Sequence, residues 1–397
     1  MNNLDYEKIL SDKVKNVKFS GIRKFFDIAA TMDNVISLSV GEPDFKTPWA
    51  IRRKAILSLE TGHTRYSSNS GMAELRDEVC KYMQNLIGVT YNPKNEIVMT
   101  VGGSEAIDIA IRALVNNGDE VLVPEPCFVC YSPIVELTGG VSVPIVTKVE
   151  DNFKLTPEAL KAAITPKTKA LILPFPNNPT GGVMRRGELE KIAEVLRGTN
   201  IITISDEIYA ELTYGGSDLN KHVSIASLEG MRERTIVING FSKAFAMTGW
   251  RLGWVSGPEP ILTQILKIHQ YAIMCSPTTS QYAAITALSS PEVRSDIEFM
   301  VNEYDMRRRL CVKSFNDMGL TCFNPEGAFY VFPCIKSTGL TSEEFCERLI
   351  KAKRVAVVPG TAFGASGEGF VRVSYAYSLK HLTDAFARIE EFLNELI

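Results

Sequence analysis

The chain of 397 residues lacks any uninterrupted apolar run of about 20 residues, the length that a membrane-spanning helix needs. It also lacks a charge excess, because 43 Lys and Arg residues stand against 46 Asp and Glu residues, a net charge of -3. That balance gives no electrostatic case for nucleic acid or an acidic membrane surface as a partner. The stretch from Met1 to Phe19 mixes lysines with acids and has no apolar core, so we expect no signal peptide and a cytoplasmic protein.

The sequence also lacks the repeated cysteine spacing of a zinc site or a disulfide framework, so no metal is expected. Its eight cysteines are scattered, and without a secretion signal they are interpreted as reduced, partly buried thiols. Cys127-x-x-Cys130 resembles a redox pair, but it stands alone. A structural role is favoured for this pair, and a redox or metal role is left open.

What the chain does contain is the composition of a globular protein, with 45% hydrophobic and 22% charged residues. From Glu96 onward, short β-rich apolar runs alternate with helical patterns, which predicts an α/β domain with a mostly parallel central sheet. The predicted strands are Ile97–Val101, Glu120–Val123, Val141–Val146, Ala170–Leu173, Ile201–Ser205, Thr235–Asn239 and Leu252–Val255. The predicted helices between them include Glu105–Val115, Pro157–Ala163 and Gly187–Leu196.

The pattern changes after about Pro291, which indicates a second, smaller α+β domain. A long polar helix is predicted from Ser295 to Met318, and an amphipathic terminal helix from Leu379 to Leu396. We therefore expect residues 1–45 to form an N-terminal arm and part of the small domain. Residues 46–290 are then the large domain, and residues 291–397 the small C-terminal domain.

Chemically informative residues follow several of the predicted strands. Ligands of such sheets bind where parallel strands end at their carboxyl edges. Gly102-Gly103, Asn177-Asn178-Pro179, Asp206 and Ser242-Lys243 all fall at these ends. A single site assembled from several loops is therefore predicted.

The densest part of this pattern supplies the groups that pyridoxal 5'-phosphate requires. Lys243 can form a Schiff base with an aldehyde, and Asp206 can keep a pyridine nitrogen protonated. Arg251 can bind a phosphate through two hydrogen bonds. The same stretch of sequence, Ser205 to Trp254, also contains the phenol of Tyr209 and the hydroxyl of Ser242. The residues thus indicate an enzyme that uses this cofactor.

The motifs also resemble those of a known family, the class I aminotransferases with the aspartate aminotransferase fold. Ser205–Tyr209, Gly240–Lys243 and Met247–Trp254 carry the resemblance, in the family's order. Ser20–Phe25 and Lys267–Tyr271 resemble the aromatic and aminotransferase A group in particular. The likeness extends from residue 20 to the last helix, and it implies the pyridoxal-phosphate-dependent transferase fold type I.

The resemblance implies a role for each catalytic residue. Lys243 is expected to bond covalently to the cofactor and to move the proton of the substrate's α-carbon. Asp206 is expected to pair with the pyridine nitrogen. Tyr209 and Asn178 are expected to share the cofactor's phenolic oxygen.

The resemblance also places the phosphate, which is expected to bind Gly103 and Ser104 at a helix N-terminus together with Ser242 and Arg251. Tyr66 resembles a tyrosine that reaches the phosphate bound by the partner subunit. A homodimer with shared active sites is therefore expected.

Further residues are expected to hold the cofactor ring and the substrate. Phe128 occupies the position of an aromatic ring against the cofactor, with core packing as the alternative. Arg372 lies in an apolar strand, where an unpaired arginine is costly, and the family uses it to bind the α-carboxylate. Gly41 and Asn178 are expected to assist it.

These expectations predict transfer of an amino group from an L-amino acid to a 2-oxo acid such as 2-oxoglutarate, with ping-pong kinetics. A carbon–sulfur β-lyase on the same fold is the first alternative, because it would use the same anchors. A regulatory binding module is disfavoured, since roughly 30 residues precede the fold, too few for a DNA-binding domain.

The donor is less well determined by the sequence. Ser104 stands where some members that use acidic substrates have a lysine, so an aromatic or broad-range donor is favoured over aspartate. Phe19, Ile22, Phe329 and Phe363 are candidates for an apolar side-chain pocket, with core packing as the alternative for each. Aspartate and N-acetyl-diaminopimelate stay open as alternative donors.

Overall fold

The computed structural model describes residues 4–19, 21, 32–215 and 221–396. A seven-stranded sheet lies at the centre of this structure. Its strands are β2 (Ile97–Thr100), β3 (Glu120–Glu125), β4 (Val141–Val146), β5 (Thr168–Leu173), β6 (Ile202–Asp206), β7 (Thr235–Gly240) and β8 (Gly253–Ser256). Their spatial order is β2-β8-β7-β6-β5-β3-β4.

Six of the seven strands run in the same direction, which confirms the prediction of a mostly parallel sheet. The strands from β4 to β7 pair in parallel, whereas β8 is antiparallel to both of its neighbours, β2 and β7. The reversal of β8 was not predicted. Because β8 runs backwards, it begins at the edge where the other six strands end.

Alternating apolar side chains on each strand explain why helices cover both faces of the sheet. In β3, Val121 and Val123 pack into one core with Ile107, whereas Leu122 packs into another core with Leu189. Successive side chains of a strand point to opposite faces, so a strand that is apolar throughout must be covered on both sides.

The described helices frame this sheet and continue beyond it. They are α1 (Tyr6–Ile9), α2 (Asp12–Asn16), α3 (Trp49–Glu60), α4 (Ala73–Ile87), α5 (Gly102–Leu114), α6 (Tyr131–Thr138), α7 (Pro157–Ala163), α8 (Arg186–Leu196), α9 (Glu259–Ala272), α10 (Thr278–Ser289), α11 (Pro291–Asp317), α12 (Ser342–Lys353) and α13 (Leu379–Asn394). None of the helices in the described part of the chain is both long and apolar enough to cross a membrane.

Two of these helices show how local sequence sets their ends. The long polar helix begins at Pro291, four residues before the predicted start, because proline fits the first turn of a helix, where its missing N–H is not needed. The terminal helix begins after Ser378, whose hydroxyl accepts a hydrogen bond from the backbone N–H of His381. Its buried residues recur at helical spacing from Leu382 to Phe392.

Two small sheets complete the structure. Strand β1 (Ile36–Ser37) pairs in parallel with β10 (Val355–Ala356), so an early segment of the chain joins a late one. The three-stranded sheet has the order β11-β12-β9 and is antiparallel throughout. Its strands are β9 (Tyr330–Val331), β11 (Val358–Pro359) and β12 (Val371–Ser374).

All eight cysteines are free, including the Cys127-x-x-Cys130 pair. Burial raises the pKa of both thiols of this pair, that of Cys130 well above its usual range. The thiolate is the form that attacks disulfides and binds metals. These two cysteines therefore have the character of structural thiols, as the sequence analysis favoured.

Candidate active site

A cavity of about 580 Å³ opens at the edge of the sheet where the six parallel strands end. Eleven of the twelve residues selected from the sequence line it. They are Gly41, Gly103, Ser104, Phe128, Asn178, Asp206, Tyr209, Ser242, Lys243, Arg251 and Arg372. The fold therefore brings together residues that lie more than 300 positions apart in the chain.

Lys243 lies in the turn after β7, and its amine reaches into this cavity. Its Nζ donates a hydrogen bond of 2.7 Å to the backbone carbonyl of Gly41. Burial lowers the pKa of Lys243 to about 8, although Glu42 and Asp206 partly oppose the shift. An amine with a pKa near neutrality can be both a nucleophile and a proton carrier.

This lowered pKa predicts that Lys243 destabilises the protein when no cofactor is bound. The ordinary pKa of 10.5 applies to the unfolded chain, so below about pH 8 folding must bury a charged amine. Lys243→Met should therefore stabilise the cofactor-free protein by about 2 kcal/mol at pH 7, because water in the open cavity reduces the full penalty.

The advantage of the methionine variant should fade as the pH rises from about 8 towards 10.5, because the buried amine no longer carries its charge when the protein folds. Urea unfolding of both cofactor-free proteins at pH 7 and pH 10 measures the difference. If Lys243→Met raised the free energy of unfolding by the same amount at both pH values, the lowered pKa of Lys243 would be contradicted.

Asp206 ends β6 and is buried at the cavity wall. One carboxylate oxygen accepts a hydrogen bond of 2.7 Å from the Tyr131 hydroxyl, and the other accepts one from the Ile208 backbone N–H at 3.2 Å. Burial raises the pKa of Asp206, while these two hydrogen bonds oppose the shift. A buried carboxylate of this kind requires a positive partner to be fully stable as an anion.

Glu207, the next residue, does not belong to the cavity. Its carboxylate accepts hydrogen bonds from the Ser205 and Ser224 hydroxyls, at 2.8 and 2.5 Å. It also lies 2.8 Å from Nε2 of His222 in the core. Consecutive residues at a strand end face opposite sides, so only Asp206 of the two acids can meet a ligand.

At another wall of the cavity, Arg251 and the N-terminus of α5 form a cradle for an anion. Arg251 lies two residues before the reversed strand β8 and therefore arrives at the same edge as the ends of β2 and β7. Its guanidinium packs over Gly102, where an added Cβ would lie 2.7 Å from Nη2. Gly102 also has a φ of +75°, so glycine is required there for two reasons. Gly103 and Ser104 follow in the first turn of α5, whose exposed N–H groups favour anions.

Arg372 lies in β12, is buried and also lines the cavity. Its Nη1 donates to Oδ1 of Asn178 at 2.9 Å, and its Nη2 donates to the carbonyl of Ser39 at 2.5 Å. The guanidinium lies between two aromatic rings, 4.6 Å from the Tyr330 centroid and 4.8 Å from the Phe363 centroid. Its Nε has no partner within the described part of the chain. A carboxylate is the group that such a fixed, incompletely paired guanidinium binds best.

Two of the cavity residues that were not selected from the sequence, Tyr131 and Tyr330, form side-chain hydrogen bonds with selected ones. Tyr131 anchors Asp206, and the Tyr330 hydroxyl lies 2.7 Å from the hydroxyl of Tyr209. Tyr131 comes only three residues after Phe128, at the start of α6, so this spacing was an available signal. Tyr330 opens a two-residue strand far along the chain, and no local pattern connects it to Tyr209.

Among the described residues, the candidates for an apolar side-chain pocket do not line the cavity. Phe329 is fully buried against Tyr209 and Phe363 is buried against Arg372, so neither is part of the described cavity wall. Both side chains pack in the core, which was the alternative expected for each. Phe19 is 98% exposed, and Ile22 lies outside the described residues.

Tyr66, the twelfth selected residue, is 81% exposed and does not line the cavity of its own chain. Its expected role toward a partner subunit stays a prediction. The motif from Ser20 to Phe25 lies mostly outside the described residues, so its contribution to the site is not described either.

The cavity residues fit pyridoxal 5'-phosphate. The buried carboxylate of Asp206 has no ion-pair partner among the described residues and suits a protonated pyridine nitrogen. The donors of Gly103, Ser104, Ser242 and Arg251 suit a phosphate. Lys243 carries an amine that suits the aldehyde, so the ring nitrogen, the phosphate and the aldehyde of the cofactor each match a residue of the right chemistry.

Comparison with known proteins gives the same result. The family model for aminotransferases of class I and II matches residues 33–389. The putative aminotransferase YugH of Bacillus subtilis strain 168 is 52% identical over 97% of this chain and 98% of its own length. An aspartate aminotransferase of Pyrococcus abyssi is 47% identical over the same shares of the two chains.

A solved structure extends the comparison to three dimensions. The crystal structure of an aromatic aminotransferase from Pyrococcus horikoshii OT3 superposes with a TM-score of 0.89 at 45% identity. The match covers 94% of this chain and 100% of that one. The chain therefore belongs to the class I and II aminotransferases and is a pyridoxal-phosphate-dependent enzyme of fold type I.

Proposed function

We propose that this enzyme moves the amino group of an L-amino acid, with an aromatic or broad range of donors, to a 2-oxo acid such as 2-oxoglutarate. The observation that carries the proposal is the convergence of Lys243, Asp206 and Arg372 on one cavity. An amine, a buried carboxylate and a fixed guanidinium are the three groups that transamination of an α-amino acid needs.

Each residue has a separate role in this proposal. When bound, pyridoxal 5'-phosphate supplies an aldehyde that bonds amines covalently and a ring that withdraws electrons. Lys243 would hold that aldehyde, and its Nζ would accept the proton of the substrate's α-carbon. Asp206 holds the positive charge of the ring nitrogen, and Tyr209 and Asn178 donate to the phenolic oxygen.

The remaining residues orient the two molecules. Gly103, Ser104, Ser242 and Arg251 bind the phosphate, and Phe128 covers the ring. In the same cavity, Arg372 binds the α-carboxylate with help from Asn178 and the backbone N–H of Gly41. The two anionic groups are thus bound at separate walls, which fixes the reacting carbon near Lys243.

The reaction then proceeds in two halves that use the same residues. In the first half, the amino group of the donor would stay with the enzyme, water would supply the carbonyl oxygen, and the donor would leave as a 2-oxo acid. In the second half, another 2-oxo acid takes it. Both carboxylates compete for Arg372, so the first product must leave before the acceptor binds, and ping-pong kinetics follow.

The charges of the cavity support the proposed donor class. Of the described residues, three cations line it, namely Lys243, Arg251 and Arg372, and the proposal already gives each of them a role. No fourth cation of the described chain is available there for a side-chain carboxylate. This supports donors with uncharged side chains, with aspartate and N-acetyl-diaminopimelate as the alternatives.

We also propose a homodimer in which Tyr66 reaches the phosphate site of the partner subunit. Tyr66 and Tyr271, 81% and 87% exposed, lie on segments joined by hydrogen bonds from Asn69 to Met274 and from Thr278 to Arg65. Helix α3, which packs against α10 in the same region, also carries exposed apolar side chains. An apolar surface of this kind supports an interface.

Two further parts of the proposal concern organisation and location. The pairing of β1 with β10 supports assigning residues 1–45 in part to the small domain, beside residues 291–397, with 46–290 as the large domain. The eight free cysteines support a reducing compartment such as the cytoplasm.

A single-turnover experiment tests the function. Cofactor-loaded enzyme is mixed with an excess of phenylalanine, tyrosine, aspartate, glutamate or N-acetyl-diaminopimelate, without an acceptor, and the 2-oxo acid is quantified. We expect at most one equivalent per site, formed fastest from the aromatic donors, with further turnover only after 2-oxoglutarate is added. A sequential pattern in steady-state kinetics would contradict the scheme.

The same experiment separates the carbon–sulfur β-lyase alternative. A lyase acting on cystathionine would release pyruvate and ammonia continuously, beyond one equivalent, with no acceptor present. A transferase stops after the first half-reaction, because the enzyme retains the amino group.

A further inference from the structure

We propose that Tyr330 is a positioning residue that links the Arg372 carboxylate clamp to the Tyr209 phenol, and through it to the proton held at Lys243. The inference rests on the proposed roles of these three residues. It adds a connection between substrate binding and the protonation of the Lys243 nitrogen.

The geometry places Tyr330 between the two residues. One face of its ring lies against the Arg372 guanidinium, 4.6 Å from ring centroid to Cζ, and its hydroxyl lies 2.7 Å from that of Tyr209. Both tyrosines are buried. Tyr330 is therefore in contact with the substrate clamp through its ring and with the cofactor's phenol partner through its hydroxyl.

Gly41 leaves the space that the Tyr330 hydroxyl occupies. A Cβ added at Gly41 would lie 2.3 Å from Oη of Tyr330, closer than any contact allows. The carbonyl of Gly41 also accepts the hydrogen bond from Lys243 at 2.7 Å. The position of the hydroxyl is thus fixed by the same backbone segment that holds the catalytic amine.

The direction of the hydrogen bond follows from the number of protons available. A tyrosine hydroxyl has one proton to donate. If Tyr209 gives its proton to the cofactor's phenolic oxygen, it can only accept from Tyr330. The charge of Arg372 opposes the rise that burial causes in the pKa of both tyrosines, and it is the largest opposing cause at Tyr330, whereas the pKa of Tyr209 stays well above its usual value. The Tyr330 hydroxyl is therefore the better donor of the two.

A phenol that accepts a hydrogen bond becomes a stronger donor in turn. Tyr330 therefore strengthens the donation of Tyr209 to the cofactor oxygen, which makes it easier for the neighbouring Lys243 nitrogen to lose its proton. A carboxylate bound to Arg372 neutralises the guanidinium and weakens this support. Substrate binding would thereby raise the pKa of the Lys243 nitrogen.

A pH titration of the visible band of the cofactor-loaded enzyme tests the inference, since the band reports the proton at the Lys243 nitrogen. Tyr330→Phe removes the hydroxyl and keeps the ring. We expect the midpoint to rise by roughly half to one pH unit. Gly41→Ala, which displaces the hydroxyl without changing Tyr330, should move the midpoint in the same direction.

A double variant shows whether the effect passes through Tyr209. In Tyr209→Phe the midpoint should rise further than in Tyr330→Phe, and adding Tyr330→Phe to it should produce no further change. Tyr375→Phe, which removes another buried hydroxyl outside the cavity, is the matched control and should leave the midpoint unchanged.

Two outcomes would overturn the inference: an unchanged midpoint in Tyr330→Phe, or equal and additive shifts in the Tyr209→Phe and Tyr330→Phe proteins. Failure of the proposed function looks different, because it would appear in the products of the single-turnover experiment, whereas a lyase that uses the same Lys243 would still show the titrating band. Tyr330→Leu, which also removes the ring against Arg372, should add a rise in KM for the donor that Tyr330→Phe does not cause.

Discussion

Lys243→Arg is expected to lower kcat/KM for the preferred donor by about 10⁴-fold. Arginine keeps a positive charge in the cavity, but its pKa is too high to release a proton at neutral pH, and its guanidinium is a poor nucleophile. Lys243 is also the one primary amine among the described residues that line the cavity. The loss therefore comes from the chemistry of the amine rather than from its charge.

Borohydride reduction followed by mass analysis of the tryptic peptides gives a readout independent of turnover. The wild-type peptide that contains Lys243 should gain the mass of the reduced cofactor, whereas the arginine variant should not. Lys81→Arg, at an exposed lysine paired with Glu78 at 2.7 Å, is the control and should behave like the wild type. An arginine variant with more than about a tenth of wild-type kcat/KM would refute the role of Lys243.

Asp206→Asn should lower kcat/KM by about 10³-fold. The amide has nearly the shape of the carboxylate and can still accept the hydrogen bond from Tyr131, so the protein should stay folded. It carries no charge, however, and cannot hold a proton on the ring nitrogen of the cofactor. Steady-state kinetics with saturating cofactor measure the loss of catalysis, and the cofactor dissociation constant measures separately any loss of cofactor binding.

Tyr131→Phe is the matched control for this variant, because it removes the 2.7 Å hydrogen bond and leaves the charge of Asp206 in place. We expect a loss of roughly tenfold, as for one hydrogen bond to a charged group. Equal losses in the two variants would mean that the orientation of Asp206, and not its charge, is what the enzyme uses.

Much of the large sheet could be predicted because its signals are local. Each strand is a short apolar run, and the residues that follow Thr100, Leu173, Asp206 and Gly240 meet at one edge because these strands share a direction. The family motifs then distinguished Asp206 from Glu207, a choice that composition alone could not make. Their different surroundings become visible only when His222 and Ser224 are seen beside Glu207.

Residues whose partners are distant in sequence could not be predicted in this way. Tyr330 meets Tyr209 across 121 residues, and the contact depends on how a two-residue strand is placed. Phe329 and Phe363 were reasonable candidates for a substrate pocket because an aromatic residue near a site has the same sequence pattern whether it faces ligand or core. The structure buries both.

The reversed strand β8 has a consequence for how this enzyme can change. Since β7 leaves the sheet at Gly240 and β8 returns at Gly253, directly opposite it, Lys243 and Arg251, the proposed phosphate ligand, belong to one connection whose two ends are fixed by the sheet. The distance between these two proposed cofactor contacts is thus set by the pairing of β7 with β8 and does not depend on the other loops around the cavity. Those loops can diverge in length and composition to accept new donors while the cofactor keeps its place.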